Sequence, residues 1–165
     1  MIKFGNENIN LKHAPFLIKT EENNNNCIRF IISFACEGEK GSDTNAMGIN
    51  RLGEILSKTT PIYPNKNEVY EILFEEYILY QTRNESYCSF DDYEIRQGNY
   101  FIIFEKSRLL DVLPVMTDCQ ILSDGIAYPG KWTHYGIYCQ NHIIDVISHH
   151  EPTMKQVQQH DDKFI

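Results

Sequence analysis

Short apolar runs separated by polar turns set the pattern of this chain of 165 residues. The run from Cys27 to Phe34 is apolar at almost every position and has the length of a strand. It therefore predicts a central strand that is covered on both faces. Shorter runs predict strands from Ile2 to Phe4 and from Pro15 to Lys19.

Two β-hairpins are predicted where apolar runs flank turn residues. The first joins Tyr93 to Arg96 with Tyr100 to Glu105, and its turn contains Gly98 and Asn99, which readily adopt the positive φ that tight turns need. The second hairpin folds about residues 140–141, and its strands run over 135–139 and 143–148.

The stretch from Val69 to Thr82 fits two structures, because apolar residues fall on almost every position. It reads either as an amphipathic helix or as one long, possibly bulged strand. Its density of Tyr, Phe and Ile and its lack of Ala favour the strand.

Two helices are predicted from capping residues that precede apolar spacing. Ser107 is a candidate cap for a short helix that Pro114 distorts. An earlier helix has three candidate caps and an apolar face: Ser42, Asp43 and Thr44, then Met47, Leu52, Ile55 and Leu56.

These elements together predict a single α+β domain over residues 1–165, with a mostly antiparallel β-sheet and two or three short helices. Hydrophobic residues make up 42% of the chain, and its ten Tyr and nine Phe favour strands. A polar tail is expected from about residue 151, where Glu151-Pro152 ends the last apolar run.

The composition also narrows the class of protein. Five scattered cysteines without a CxxC pair indicate reduced thiols, and with no export signal at the N-terminus we expect a cytoplasmic protein. No apolar run approaches the ~18 residues of a membrane span, so no membrane contact is expected. A sequence pI near 5.2 argues against direct binding of nucleic acid.

The negative charge of the chain lies almost entirely in one region. Between Glu68 and Glu94 there are eight acidic residues and one base, Arg83, which gives −7 of the chain's net −8. A local field of one sign bears on partners and solubility, and it does not determine the fold. The excess charge therefore points to a partner of opposite sign.

His134 and Asp145 are the first candidate site. A two-residue turn in the second hairpin makes them diagonal neighbours, about 7–8 Å apart between backbones. A carboxylate inside the apolar run IIDVIS requires a partner, and His134 or Tyr138 can supply one. Two interpretations remain: a satisfied structural pair, or a general acid/base pair of a small intracellular enzyme.

The same turn places Cys139 opposite His142, the adjacency that a thiolate nucleophile needs. The surrounding sequence contains no recognisable oxyanion site. The spacing of the histidines, including His149, His150 and His160, matches no zinc pattern, so neither a metal nor a cofactor is expected.

Three segments resemble small bacterial immunity proteins that accompany contact-dependent growth-inhibition or polymorphic toxins: Tyr77 to Ser86, Phe104 to Asp111 (FEKSRLLD) and His134 to Ser148. The resemblance implies a cytoplasmic inhibitor that binds one cognate toxin domain and performs no chemistry. Toxins of this kind are often basic nucleases, so an acidic face could occlude a basic surface. An acidic adaptor protein remains a further alternative.

The partner-binding residues expected from the charge and the aromatic content lie within this acidic region: Glu75, Glu76, Tyr87, Asp91, Asp92, Tyr93 and Glu94. Loop carboxylates keep their charge at neutral pH and can meet Lys or Arg without being buried first. Aromatic residues are the side chains that most often anchor an interface.

Overall fold

The computed structural model describes residues 3–6, 11–23, 25–41 and 57–158. Within these ranges the chain forms antiparallel strands, one α-helix, α1 (Arg108–Met116), and a 3₁₀ turn, Glu85–Tyr87. The strands are β1 (Phe16–Glu22), β2 (Ile28–Glu37), β3 (Ile62–Phe74), β4 (Tyr77–Asn84), β5 (Ile95–Gln97), β6 (Phe101–Lys106), β7 (Gln120–Ile121), β8 (Ala127–Tyr128), β9 (Thr133–Tyr138), β10 (His142–Ser148) and β11 (Thr153–Val157).

Two sheets share one apolar core. The four-stranded sheet has the order β1-β2-β3-β11, and the five-stranded sheet has the order β4-β10-β9-β6-β5. Alternate residues of each strand point toward the other sheet, as the pleat requires. Their buried side chains form one cluster, which includes Phe30, Ile32, Ile72, Phe74, Phe101, Tyr135, Ile137, Ile144 and Val146. The predicted α+β domain with mostly antiparallel strands is confirmed.

The helix α1 packs near the other face of the five-stranded sheet. Leu113 is fully buried there and clusters with Ile147 of β10 and with Trp132. Ser107 caps the helix as predicted, since its hydroxyl accepts the backbone N–H of Leu110 at 3.1 Å. Strand β10 is therefore buried on both of its faces.

Both predicted hairpins are present. Strands β5 and β6 are antiparallel around Gly98, whose φ is 94°. Strands β9 and β10 pair in the predicted register, with Asp145 opposite Gly136 and Ile147 opposite His134. Turn chemistry sets these pairings locally, because the two strands are neighbours in sequence.

The interpretation of Val69 to Thr82 as one strand is wrong. The stretch belongs to two strands, β3 and β4, which lie in different sheets. The chain crosses between them at Glu75 and Glu76, and Glu76 has a φ of 54°. Only these two polar residues separate the apolar runs of the two strands, and both strands contribute side chains to the apolar clusters.

Strand β2 lies inside its sheet as predicted, but the expected burial of both its faces is wrong. One face is buried, whereas Arg29 and Ile31 on the other face are only partly covered. The predicted strand at Pro15 to Lys19 is confirmed as β1. Of the predicted strand at residues 2–4, Phe4 lies in a turn and Ile2 lies outside the described residues.

Two further predictions concern the helix at residues 42–56 and the polar tail. The helix lies outside the described residues. The expected tail is wrong for residues 153–157, which form β11 and pair with β3. Lys155 lies opposite Glu71 there and forms an ion pair with it at 2.9 Å, so polar residues suit this edge strand.

Candidate functional site

The segment between β4 and β5, residues 85–94, is hereafter called the aromatic loop. Its start is held by the side chain of Asn84, which accepts the backbone N–H of Ser86 at 3.0 Å. The N–H of Glu85 donates to the carbonyl of Asn141 at 3.2 Å. These bonds tie the loop to the tip of the β9–β10 hairpin.

The end of the aromatic loop is held by Asp91. One carboxylate oxygen accepts the backbone N–H of Tyr93 at 2.9 Å, and the other accepts Nε of Arg108 at 2.9 Å. The hydrogen bond from Arg108, followed by that from Tyr93, lowers the pKa of Asp91 below its ordinary value. Asp91 therefore orders the loop, and its charge is already matched by Arg108.

Two aromatic side chains project from the loop. Tyr87 is 89% exposed and Phe90 is 75% exposed. The guanidinium of Arg96 lies 4.3 Å from the centre of the Phe90 ring, which supports one side of that ring. Large aromatic groups held out into solvent on an ordered loop are typical of protein-binding anchors.

Tyr93 differs from these two residues. Its ring lies between Lys106 and Arg108, with Nζ of Lys106 at 3.6 Å and the Arg108 guanidinium carbon at 3.9 Å from the ring centre. The hydroxyl donates to Asp111, which raises the pKa of Tyr93. Tyr93 therefore supports the loop and is not an open anchor.

The predicted acidic residues do not form one face. Glu75 and Glu76 lie at one end of β4 and the aromatic loop lies at the other, about 25 Å away for an eight-residue strand. Glu71 is buried on the four-stranded sheet beside Arg29 and Lys155. The structure thus brings together five of the seven expected residues: Tyr87, Asp91, Asp92, Tyr93 and Glu94.

A cavity of about 540 Å³ opens beside the loop. Phe90, Glu94, Arg96 and Tyr138 contribute to its walls. Arg96 donates to the hydroxyl of Tyr138 at 3.0 Å. Burial raises the pKa of Tyr138 despite the opposing effect of Arg96, so the phenol stays protonated at neutral pH.

His134 and Asp145 meet as predicted. Nε2 of His134 lies 3.2 Å from Oδ1 of Asp145, and the two side chains are 2% and 1% exposed. The other ring nitrogen, Nδ1, lies 2.8 Å from the hydroxyl of Ser107. The ring also stacks on Phe104 with 4.0 Å between centres.

Asp145 accepts further hydrogen bonds from β4. Nε2 of Gln81 lies 2.9 Å and Nε of Arg83 lies 3.0 Å from its Oδ2. Burial alone would raise the pKa of Asp145, but the hydrogen bonds from His134 and Gln81 and the charge of Arg83 outweigh it, so the pKa is lowered. The carboxylate is therefore ionised and fully satisfied.

The order Ser107, His134, Asp145 resembles a nucleophile, base and orienting acid, yet its surroundings do not allow that chemistry. Ser107 is completely buried and caps α1. A substrate would need to reach the serine oxygen, which is buried and already bonded to the N–H of Leu110 and to the ring of His134. The arrangement satisfies polar groups between sheet and helix, which agrees with the structural interpretation of the pair.

The Cys139 and His142 interpretation is not supported by the geometry. The two residues pair through their backbones, with the N–H of Cys139 donating to the carbonyl of His142 at 2.8 Å. The thiol of Cys139 is buried, and burial raises its pKa to about 12. A thiolate is the required nucleophile, and this thiol stays protonated at neutral pH.

Among the described residues no cluster of three His, Cys, Asp or Glu side chains could hold a metal ion. His160 lies outside these residues. No helix in the described part of the chain is long and apolar enough to cross a membrane.

Several residues of the site were missed by sequence reasoning. Phe90 lies between Ser89 and Asp91 in the acidic segment, and these polar neighbours were a usable signal of exposure. Gln81 and Arg83 gave no signal, because their pairing with Asp145 depends on β4 lying beside β10. Comparisons with protein-family models, with curated proteins and with solved structures found no match.

Proposed function

We propose that this protein is a cytoplasmic immunity protein that neutralises one basic toxin domain by binding it through the aromatic loop. In this proposal Tyr87 and Phe90 insert into the toxin surface, and the loop carboxylates face its Lys and Arg residues. The protein carries out no chemistry and needs no cofactor.

The observation that carries this proposal is the exposure of Tyr87 and Phe90 on a loop held at both ends. A preordered loop loses little conformational entropy on binding, so more of the contact energy contributes to affinity. A partner that covers these two side chains would remove their apolar surface from water, which is favourable.

The charges of the loop support a basic partner. Glu85 and Asp92 are exposed, and Glu94 is half-buried at the cavity wall. Arg108 is matched by Asp91 and Arg83 by Asp145, and Arg96 and Lys106 lie against Phe90 and Tyr93 of the loop. The three carboxylates Glu85, Asp92 and Glu94 therefore exceed these two bases by one charge. Complementary charge would accelerate the encounter with a basic surface.

The enzyme alternative has less support. Its candidate groups, His134, Asp145 and Cys139, are all buried and satisfied or protonated. An acidic adaptor protein would bind its partner through the same surface as an immunity protein. The two functions therefore differ in the partner that is bound and not in the fold.

The test takes a basic protein encoded beside this gene as the candidate toxin and measures its neutralisation. Wild type should protect cells that express the toxin, and the purified proteins should bind. The variant Tyr87→Ala/Phe90→Ala should weaken binding about 30-fold or more, the scale of interface anchors, and should fail to protect. Tyr63→Ala, an exposed tyrosine on the four-stranded sheet, is the matched control.

Two results would contradict the proposal. Absence of binding by wild type would remove the toxin as the partner. Full protection by the Tyr87→Ala/Phe90→Ala variant would remove the aromatic loop from the interface.

A further inference from the structure

The cavity beside the aromatic loop has the size and the lining of a site for a small molecule. Its volume is about 540 Å³, within the roughly 300–1,000 Å³ that is typical of such sites. Several segments of the chain supply its apolar walls: Leu11, Ala14, Phe90, Tyr100 and Ile143. In sites of this kind a few polar groups select and orient the ligand, so the charged residues of the cavity decide its class.

Arg96 is the first of these charged residues, and its guanidinium is held in one orientation. The guanidinium carbon lies 4.3 Å from the ring centre of Phe90 and 5.5 Å from that of Tyr138, and Nη1 donates to the hydroxyl of Tyr138 at 3.0 Å. A guanidinium has several N–H donors in one plane. Arg96 can therefore donate to a carboxylate in the cavity while it keeps its bond to Tyr138.

Glu94 is the second charged residue. It is half-buried at the cavity wall, and its backbone N–H donates to the carbonyl of Asp91 at 3.0 Å, which fixes the position of its backbone. Glu94 precedes Arg96 by two positions at the start of β5, and both residues line the cavity. In extended backbone such residues project to the same side, with their Cα atoms about 6.6 Å apart.

The two opposite charges are not paired. In the part of the chain that the structure describes, neither Arg96 nor Glu94 forms an ion pair, with each other or with another residue. A partly buried charge is favourable only when an opposite charge or hydrogen bonds offset its loss of water. A ligand that carries both signs would match both side chains.

Two further charged residues line the cavity, but they do not select the ligand. Arg83 is already bonded to Asp145 through Nε and Nη2, at 3.0 and 2.9 Å. Glu85 is exposed at the start of the aromatic loop, where water and salt screen its charge. A purely cationic ligand would be repelled by Arg96 and a purely anionic one by Glu94, so a dipolar molecule is favoured.

We infer that this cavity binds a small zwitterion with an apolar body, of the class of free apolar and aromatic α-amino acids. Arg96 binds the carboxylate of the ligand and Glu94 binds its ammonium group, while the apolar walls cover its side chain. Tyr138 and Phe90 position Arg96. This inference goes beyond the proposed function, because it concerns the protein alone and needs no toxin.

The test is titration calorimetry of the purified protein with matched probes. L-Phenylalanine should bind with a dissociation constant of about 1 mM or below. Phenethylamine lacks the carboxylate and 3-phenylpropanoate lacks the ammonium group, and each should bind at least about tenfold more weakly because one charged hydrogen bond is lost. L-Leucine and L-tryptophan extend the comparison to smaller and larger side chains.

Variants of the cavity assign each end of the ligand. Glu94→Gln and Arg96→Gln each remove one charge and should each weaken L-phenylalanine at least about tenfold. Glu94→Gln should not weaken 3-phenylpropanoate, and Arg96→Gln should not weaken phenethylamine, because those probes lack the matching group. Glu39→Gln, which removes an exposed charge elsewhere, is the control and should bind like wild type. Circular dichroism with thermal melting checks that each variant is folded.

Three results would overturn the inference. The first is no saturable binding of any of the three amino acids, and the second is an analogue that binds as tightly as L-phenylalanine. The third is an equal loss of all probes in Glu94→Gln, which would give this residue only a structural role; because Glu94→Gln hardly changes the size of the side chain, this result is decisive even if Arg96→Gln does not fold. None of these results bears on toxin binding, which is measured separately with Tyr87→Ala/Phe90→Ala.

Discussion

Asp145 is a charged residue that is almost completely buried. A buried carboxylate is costly unless its oxygens are occupied, and here Oδ1 is met by His134 while Oδ2 is met by Gln81 and Arg83. These donors come from both strands that flank β10, so the charge locks three strands in one arrangement. These contacts are the ones expected of a residue that holds neighbouring strands together.

Asp145→Asn should lower the free energy of unfolding by about 2–4 kcal/mol at neutral pH. An amide leaves Arg83 without a counter-charge, but this side chain is 43% exposed and water partly compensates, so the loss stays below the largest values for buried pairs. Denaturant unfolding measures the difference. Asp118→Asn, which removes an exposed charge, is the control and should change stability by less than about 0.5 kcal/mol.

Wild type and Asp145→Asn also test how the stability of the fold depends on pH. Because the pKa of Asp145 is lowered in the folded state, its stabilisation is present above the ordinary carboxyl pKa and is lost as the pH falls through the folded value. The difference between wild type and Asp145→Asn should therefore shrink below about pH 4. A constant difference from neutral to acid pH would contradict this assignment.

Asp92 is the loop carboxylate best suited to steering. Asp91 already pairs with Arg108, so reversing its charge would also break a contact that orders the loop. Asp92→Lys should slow association with the toxin about threefold to tenfold and reduce the dependence of that rate on salt. Stopped-flow kinetics at two ionic strengths measures both effects. Glu39→Lys, a matched reversal of an exposed charge, should leave the rate unchanged.

At the level of elements, the passage from β3 to β4 is an abrupt change of sheet. The chain leaves one sheet and enters the other within the two residues Glu75 and Glu76. Glu76 adopts a φ of 54°, a left-handed conformation that is unfavourable for a residue with a Cβ. The strain is local and is maintained by the pairing of both flanking strands.

Glu76→Gly should increase the free energy of unfolding by about 0.5–1 kcal/mol, because glycine adopts positive φ without a steric penalty. The contact of Glu76 with His150 is exposed and contributes little. Glu75→Gly should instead destabilise by a similar amount, since Glu75 does not have a positive φ. Equal destabilisation by both variants in denaturant unfolding would show that strain at Glu76 is negligible.

For the whole molecule, β10 links the two apolar clusters. Ile144 and Val146 face the core between the sheets, while Ile147 faces the cluster around α1. The chain has one tryptophan, Trp132, and it packs in the α1 cluster. Its fluorescence therefore reports the helical layer, whereas far-ultraviolet circular dichroism reports mainly the sheets.

The two signals should give the same unfolding midpoint, because neither cluster can lose β10 without disrupting the other. Ser107→Ala, which removes the cap of α1 and a hydrogen-bond partner of His134, should shift both midpoints together. An earlier fluorescence transition would mean that the helical layer unfolds as a separate unit.

The sequence by itself determined the features that depend on neighbours along the chain. Turn residues set both hairpins and the register of β9 with β10, and that register alone brings His134 beside Asp145. Ser107 marked the start of α1. Hydrogen bonds of turns and caps form between residues a few positions apart, so their signals can be read locally.

Tertiary structure decided what depends on distant segments. It divided the stretch from Val69 to Thr82 between two sheets, and it placed Gln81 and Arg83 of β4 beside Asp145. It also separated Glu75 and Glu76 from the aromatic loop and left Tyr87 and Phe90 exposed. An apolar residue has the same sequence signal whether its own sheet, another layer or a partner covers it, because burial is non-directional and depends on what packs against it.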